Sequence, residues 1–124
     1  FFQRRYFHSI LFIFISALAS VTSYLNQNIG AILNNEAYKI IYISLLKEII
    51  AVAIAKGIAL PSNILEQTIE KLEKTPQEAT SSMHRDVLDG RKTEIKSLTE
   101  YVVNEGQKLG VPTPNYAMVL NKLS

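Results

Sequence analysis

Twelve consecutive residues, Ile10 to Val21, carry no charge, and this run constrains the fold more than any other stretch. A helix apolar on every side has to be buried, either at the centre of a larger domain or in a membrane. The run is shorter than the roughly 20 residues that a membrane span needs. Its flanks admit another reading. Arg4 and Arg5 precede it and Ala17-Leu18-Ala19 closes its greasy part, which is the outline of a secretory signal peptide. We read it as a core helix over Tyr6–Tyr24, with a signal-like segment and a membrane helix as alternatives.

The rest of the chain reads as helices separated by breakers. Asn26-Gln27-Asn28-Ile29-Gly30 interrupts the first helix, because amides compete for backbone hydrogen bonds and Gly30 permits a turn. A short helical turn is expected over Ile29–Leu33. Asn34 or Asn35 then caps a helix from Glu36 to Lys56 that ends at Gly57 in a left-handed conformation. The apolar positions Ile40, Ile43, Leu46, Ile50 and Ile54 recur at helical spacing, and Lys47 and Glu48 interrupt that greasy surface. Pro61 or Ser62 opens a third helix through Lys74, and Thr75-Pro76 ends it. Asp89-Gly90 marks a turn. A helix from Thr93 to Lys108 follows, with Ile95, Leu98, Val102 and Leu109 facing inward, and Gly110 stops it. Pro112 and Pro114 hold an extended loop before a last helix, Tyr116–Leu123. No stretch alternates as a half-buried strand would. The expected fold is all-α, a compact bundle of five to seven helices.

Length and charge narrow the function. A chain of 124 residues fits one domain with a sizeable core. A net charge of +2, with no basic run, gives no footing for nucleic acid. The absence of cysteine removes disulfides, thiolate catalysis and thiolate metal sites, and fits a cytoplasmic location. His8 and His84 lie far apart without ligand spacing, so no metal site is expected. There is no glycine-rich phosphate motif. The chain opens on Phe1-Phe2 rather than methionine, which points to a segment upstream.

The densest chemistry lies in Ser81–Glu94, S-S-M-H-R-D-V-L-D-G-R-K-T-E. Ser82 offers a neutral hydroxyl that can donate to a substrate carboxylate, and Glu94 a carboxylate that can fix a hydroxyl or orient a lysine. Residue types alone favour something simpler, a serine cap and an acid in a helix's first turn. Sixteen residues beyond Glu94 comes Gly110-Val-Pro-Thr-Pro-Asn-Tyr116, and upstream lie Glu48-Ile-Ile-Ala-Val-Ala-Ile-Ala-Lys-Gly57, Thr22-Ser23-Tyr24 and Ile29–Leu33. In order and spacing these segments, spanning Phe12 to Leu123, resemble the C-terminal domain of the ketopantoate reductases (2-dehydropantoate 2-reductases).

The resemblance implies a helical domain like those of 6-phosphogluconate dehydrogenases, residues 1–124 forming a single substrate-side domain whose N-terminal Rossmann NADP-binding domain is absent from this chain. It implies NADPH-dependent reduction of a 2-oxo acid such as ketopantoate in the complete enzyme, with no cofactor bound by this chain alone. Partners would be that Rossmann domain, the small 2-oxo acid and a second copy in a homodimer, with no nucleic acid and no membrane. It assigns substrate binding to Ser82 and substrate binding with catalysis to Glu94, while Asp86 and Arg91 fall on structural positions. The family's general-acid lysine aligns with Leu11, and its substrate-binding asparagines with Ile15 and Ala19. Lys96 and Glu100 also depart from the pattern. Arg4, Arg5 or His8 would replace the lysine's charge only in a different register. Leu11 and the apolar start leave a second reading, a non-catalytic helical dimerisation module descended from the family, and Arg4-Arg5 with the Ile10–Val21 run leaves a third, a secreted or membrane-anchored helical protein.

Overall fold

The computed structural model describes residues 10–75 and 92–123, of which 10–12, 15 and 92–95 enter by their backbone only. Among them are six helices and no strand: α1 (Ile10–Leu25), α2 (Ile29–Asn34), α3 (Glu36–Ala55), α4 (Ile64–Glu73), α5 (Lys92–Leu109) and α6 (Pro114–Leu123). The all-α expectation holds.

Helix α1 is a core helix. Ile13, Ala17 and Val21 are fully buried, and so are the residues of the signal-like Ala17-Leu18-Ala19 exit. It packs on α3 and also touches α4, α5 and α6, so its all-round apolarity is matched by neighbours on several sides. Among the described residues no helix is long and apolar enough to cross a membrane.

The boundaries follow local chemistry. The turn after α1 is made by Asn26, at φ 57°, and not by Gly30, which is buried inside α2. Asparagine tolerates the left-handed region because its short side chain bonds locally. Asn28 Oδ1 accepts from Ala31 N–H at 2.9 Å, and Asn35 Oδ1 from Tyr38 N–H at 3.1 Å, which caps α2 and α3 in turn. Gly57 (φ 86°) and Gly110 (φ 74°) end α3 and α5 in the left-handed region, as expected. Pro114 belongs to α6 rather than to the loop before it. It occupies the first helical position, where a missing N–H costs nothing.

Two of the apolar positions that recur at helical spacing on α3, and Leu109, which was expected to face inward, lie outside the core. Ile40 and Ile54 are each 59% exposed and Leu109 is 39% exposed. The buried side of α3 keeps Leu46 and Ile50 from that row and adds Tyr42, Leu45, Ile49, Val52 and Ala53 beside them.

Candidate functional site

The described structure joins several of the segments that carry the family resemblance. Glu48, buried on α3, is the junction. Its Oε2 accepts from the backbone N–H of Asn115 at 2.9 Å and from Asn115 Nδ2 at 2.6 Å, and its Oε1 accepts from Tyr116 N–H at 2.9 Å. Asn115 and Tyr116 are the second and third residues of α6, whose N–H groups have no partner within their own helix. A carboxylate from a distant helix therefore caps α6 and also meets the positive end of its dipole. Glu48 is no interruption of a greasy surface.

Tyr116 continues the connection inward. Its side chain is fully buried, and its hydroxyl lies 3.0 Å from Ser16 Oγ on α1. Burial pushes the Tyr116 hydroxyl far above the usual tyrosine range. The hydroxyls of Ser16 and Ser20 partly offset that push, and the Glu48 carboxylate adds to it. Tyr42 is raised as well, first by burial and then by Tyr116. Among the described residues the buried hydroxyls of Ser23 and Tyr42 have no hydrogen-bond partner. Both tyrosines thus stay neutral, and the polar layer linking α1, α3 and α6 carries its negative charge at Glu48.

A second polar junction fixes α5. Lys56, at the end of α3, pairs with Glu105, which also meets Lys108 at 3.3 Å. The Glu105 carboxyl is held below its ordinary range, chiefly by the hydrogen bond from Lys56, against the opposing effect of burial. Lys122 on α6 donates to the Tyr24 carbonyl at the end of α1 and lies 4.8 Å from that residue's ring centroid.

The candidate residues are placed as follows. Glu94 lies in the first turn of α5, where a carboxylate is favoured. Ser82, His84, Asp86 and Arg91 lie outside the described residues, as do Arg4, Arg5 and His8, so the structure does not test the pairing of Ser82 with Glu94. Leu11, Ile15 and Ala19 follow at four-residue spacing on α1 and share one face. Ala19, at the inner end of that face, is 2% exposed and packed against Leu123. An amide at that position would have to displace the last helix. Lys96 and Glu100 are exposed on α5. The described residues hold no group of three or more acid or imidazole side chains able to bind a metal.

The glycines bear on the cofactor. Gly57 and Gly110 end helices, and Gly30 lies within one. A Cβ on Gly106 would come within 2.8 Å of the Val111 carbonyl, so the chain uses this glycine for its own close packing. None of these four belongs to a strand–glycine loop–helix cradle, and the described residues do not fit a dinucleotide's phosphates.

Reading the sequence by motif included Glu48 and Tyr116 in its segments without giving them a role, and missed Ser16 and Glu105. The one available signal was an acid on the same face of α3 as Leu45, Ile49 and Val52, since a carboxylate at a core position needs a partner.

A bundle of helices clamped by a buried glutamate, and built from these segments, defines a class. Residues 11–124 match the family described as ketopantoate reductase PanE/ApbA C terminal, and the chain belongs to that family. Its relatives include a 2-dehydropantoate 2-reductase of Pyrobaculum aerophilum, 30% identical over 99 residues that make up 80% of this chain and 35% of the relative. Another is the 2-dehydropantoate 2-reductase of Vibrio cholerae serotype O1, 35% identical over 71 residues, 57% of this chain and 24% of that protein. The chain thus spans about a third or less of the length of these relatives. No solved structure matches it significantly.

Proposed function

We propose that this chain is the substrate-side domain of an NADPH-dependent 2-oxo-acid reductase that converts ketopantoate or a similar acid to its 2-hydroxy product. The observation that carries the reading is the family match over residues 11–124, together with relatives named as 2-dehydropantoate 2-reductases that are more than twice as long. On this reading a dinucleotide-binding domain outside the chain holds NADPH, which supplies the hydride. The assembled enzyme works in the cytoplasm, and the isolated chain is inactive.

In the cleft between the two domains Ser82 Oγ–H donates to the substrate carboxylate. Glu94 accepts from the substrate's hydroxyl side and fixes its orientation. Reduction of a ketone builds negative charge on its oxygen, so a proton donor or a cation there lowers the barrier. Leu11 offers neither. A domain in this register is therefore slow, by about 10²–10⁴-fold for the lost acid, unless a cation from elsewhere reaches the oxygen.

Kinetics of the domain within its complete reductase test the assignment. Ser82→Ala and Glu94→Ala should each lower kcat/KM for the 2-oxo acid at least about tenfold, with the KM for NADPH little changed. Leu11→Lys should raise kcat. Unaltered kinetics in all three variants would remove these residues from the site. The second reading, a non-catalytic helical module, is favoured by Leu11 itself, and no turnover by the complete protein would support it.

A further inference from the structure

A seam of hydroxyls runs along α1, the greasiest helix of the bundle. Ser16, Ser20 and Ser23 recur at steps of four and three residues, so they line one side of the helix. Ser16 and Ser20 are fully buried and Ser23 is 7% exposed. A hydroxyl within a helix can satisfy itself by donating to the carbonyl one turn back. Thr22 does so, at 2.8 Å from Leu18 O. The seam is committed differently. Ser16 is bonded to the Tyr116 hydroxyl, and Ser20, one turn further on, lies close enough to act on that same hydroxyl. Ser23 Oγ has no hydrogen-bond partner among the described residues.

Tyr42 brings a further hydroxyl to this layer from α3, which packs directly on α1. Its side chain is 1% exposed, and its hydroxyl also has no hydrogen-bond partner among the described residues. It shares the core with Tyr116, which acts on it electrostatically. Buried hydroxyls are nearly always bonded, either to protein or to ordered water. Spacing decides which. Side chains three apart on a helix start about 5–6 Å from each other, too far for one hydroxyl to reach the next. That gap is about twice an O–H···O distance of roughly 2.7–2.8 Å, the span of one bridging molecule. An interior water makes about three such bonds, and only a polar site keeps one.

We propose that α1 and α3 enclose a binding site for one structural water molecule, held by the hydroxyls of Ser20, Ser23 and Tyr42. Each hydroxyl can donate or accept, so the water donates to two of these oxygens and accepts from the third. Neutral hydroxyls suit water and give an ion no counter-charge. The carboxylate of this layer, Glu48, is already committed to N–H groups at the start of α6. The consequence is directional. Apolar packing alone sets the rotation of a helix greasy on every side only loosely, whereas a satisfied polar seam selects one setting. The water thereby holds α1 in one rotation, and with it the face that carries Leu11, Ile15 and Ala19. The site is independent of the reductase reading.

Oxygen-17 relaxation dispersion counts long-lived internal waters without interference from exchanging hydroxyl protons. For the 124-residue chain the amplitude should fall by one water in the Ser23→Ala, Tyr42→Phe double variant, with the helical circular dichroism unchanged. Equal amplitudes in the two proteins would overturn the site. Urea unfolding of the single and double variants reads the bridge itself. A water joining the two hydroxyls makes the second substitution cheaper than the first, so the unfolding constants should show coupling of at least about threefold, beyond the roughly twofold scatter of independent sites. Effects that simply multiply would show two hydroxyls acting apart and would overturn the bridge. A crystal structure of the unaltered chain needs no variant to fold. It should show an ordered solvent peak within about 3 Å of both Ser23 Oγ and Tyr42 Oη, and direct bonding of both hydroxyls to protein would overturn the proposal.

Discussion

Glu48 concentrates the consequences of a single side chain. It satisfies two backbone N–H groups and one side-chain amide at the start of α6, and hydrogen bonds to a charged group are worth about 1.5–3 kcal/mol each. Glu48→Ala should therefore cost about 3–5 kcal/mol, read as a lower urea midpoint. Glu48→Gln, which keeps one acceptor oxygen, should cost less. Glu105 makes a different prediction, one of pH. Its folded-state pKa is depressed by Lys56 and Lys108, so its contribution is present above the unfolded carboxylate value of about 4.3 and is lost as the pH falls through the depressed value. The acid limb of a stability–pH curve should flatten in Glu105→Gln, and an unchanged limb would show that the pair does not matter.

Among the helices, capping was the most legible feature. Asn35, Gly57 and Gly110 were recognisable because each residue type does at a helix end what others do poorly. Facing was less legible. Periodicity shows that apolar positions recur but not which of them are buried, and in α3 Ile40 and Ile54 stay exposed while Leu46 and Ile50 of the same row join Tyr42, Ile49 and Val52 in the core. Gly106 was overlooked because no turn requires it. Its lack of a side chain lets α5 approach the Val111 carbonyl and Thr113, and Val111 N–H donates back to Gly106 O at 2.8 Å. Gly106→Ala should destabilise the α5–α6 corner by about 1–3 kcal/mol, visible as a lower melting temperature. No loss would mean that the corner yields.

At the scale of the molecule, fold and family were readable because segments along most of the chain agreed with one another. The candidate site was readable only as residue types. Ser82 and Glu94 mean something once a substrate lies between them, and the resemblance implies that the rest of that cleft belongs to another domain. The structural junctions were invisible for a related reason: they join residues far apart in sequence, and no local pattern announces them. The bond between Ser16 and Tyr116 spans 100 positions, and Val119 of α6 belongs to the same core as Ile13 of α1. On a ribosome, α1 is made before α6, which packs against it. At about 5–20 residues per second, the greasiest helix waits roughly 5–20 s for the segment that closes over it. During that interval α3 can already cover part of it, and the side that α6 will cover stays an exposed apolar surface.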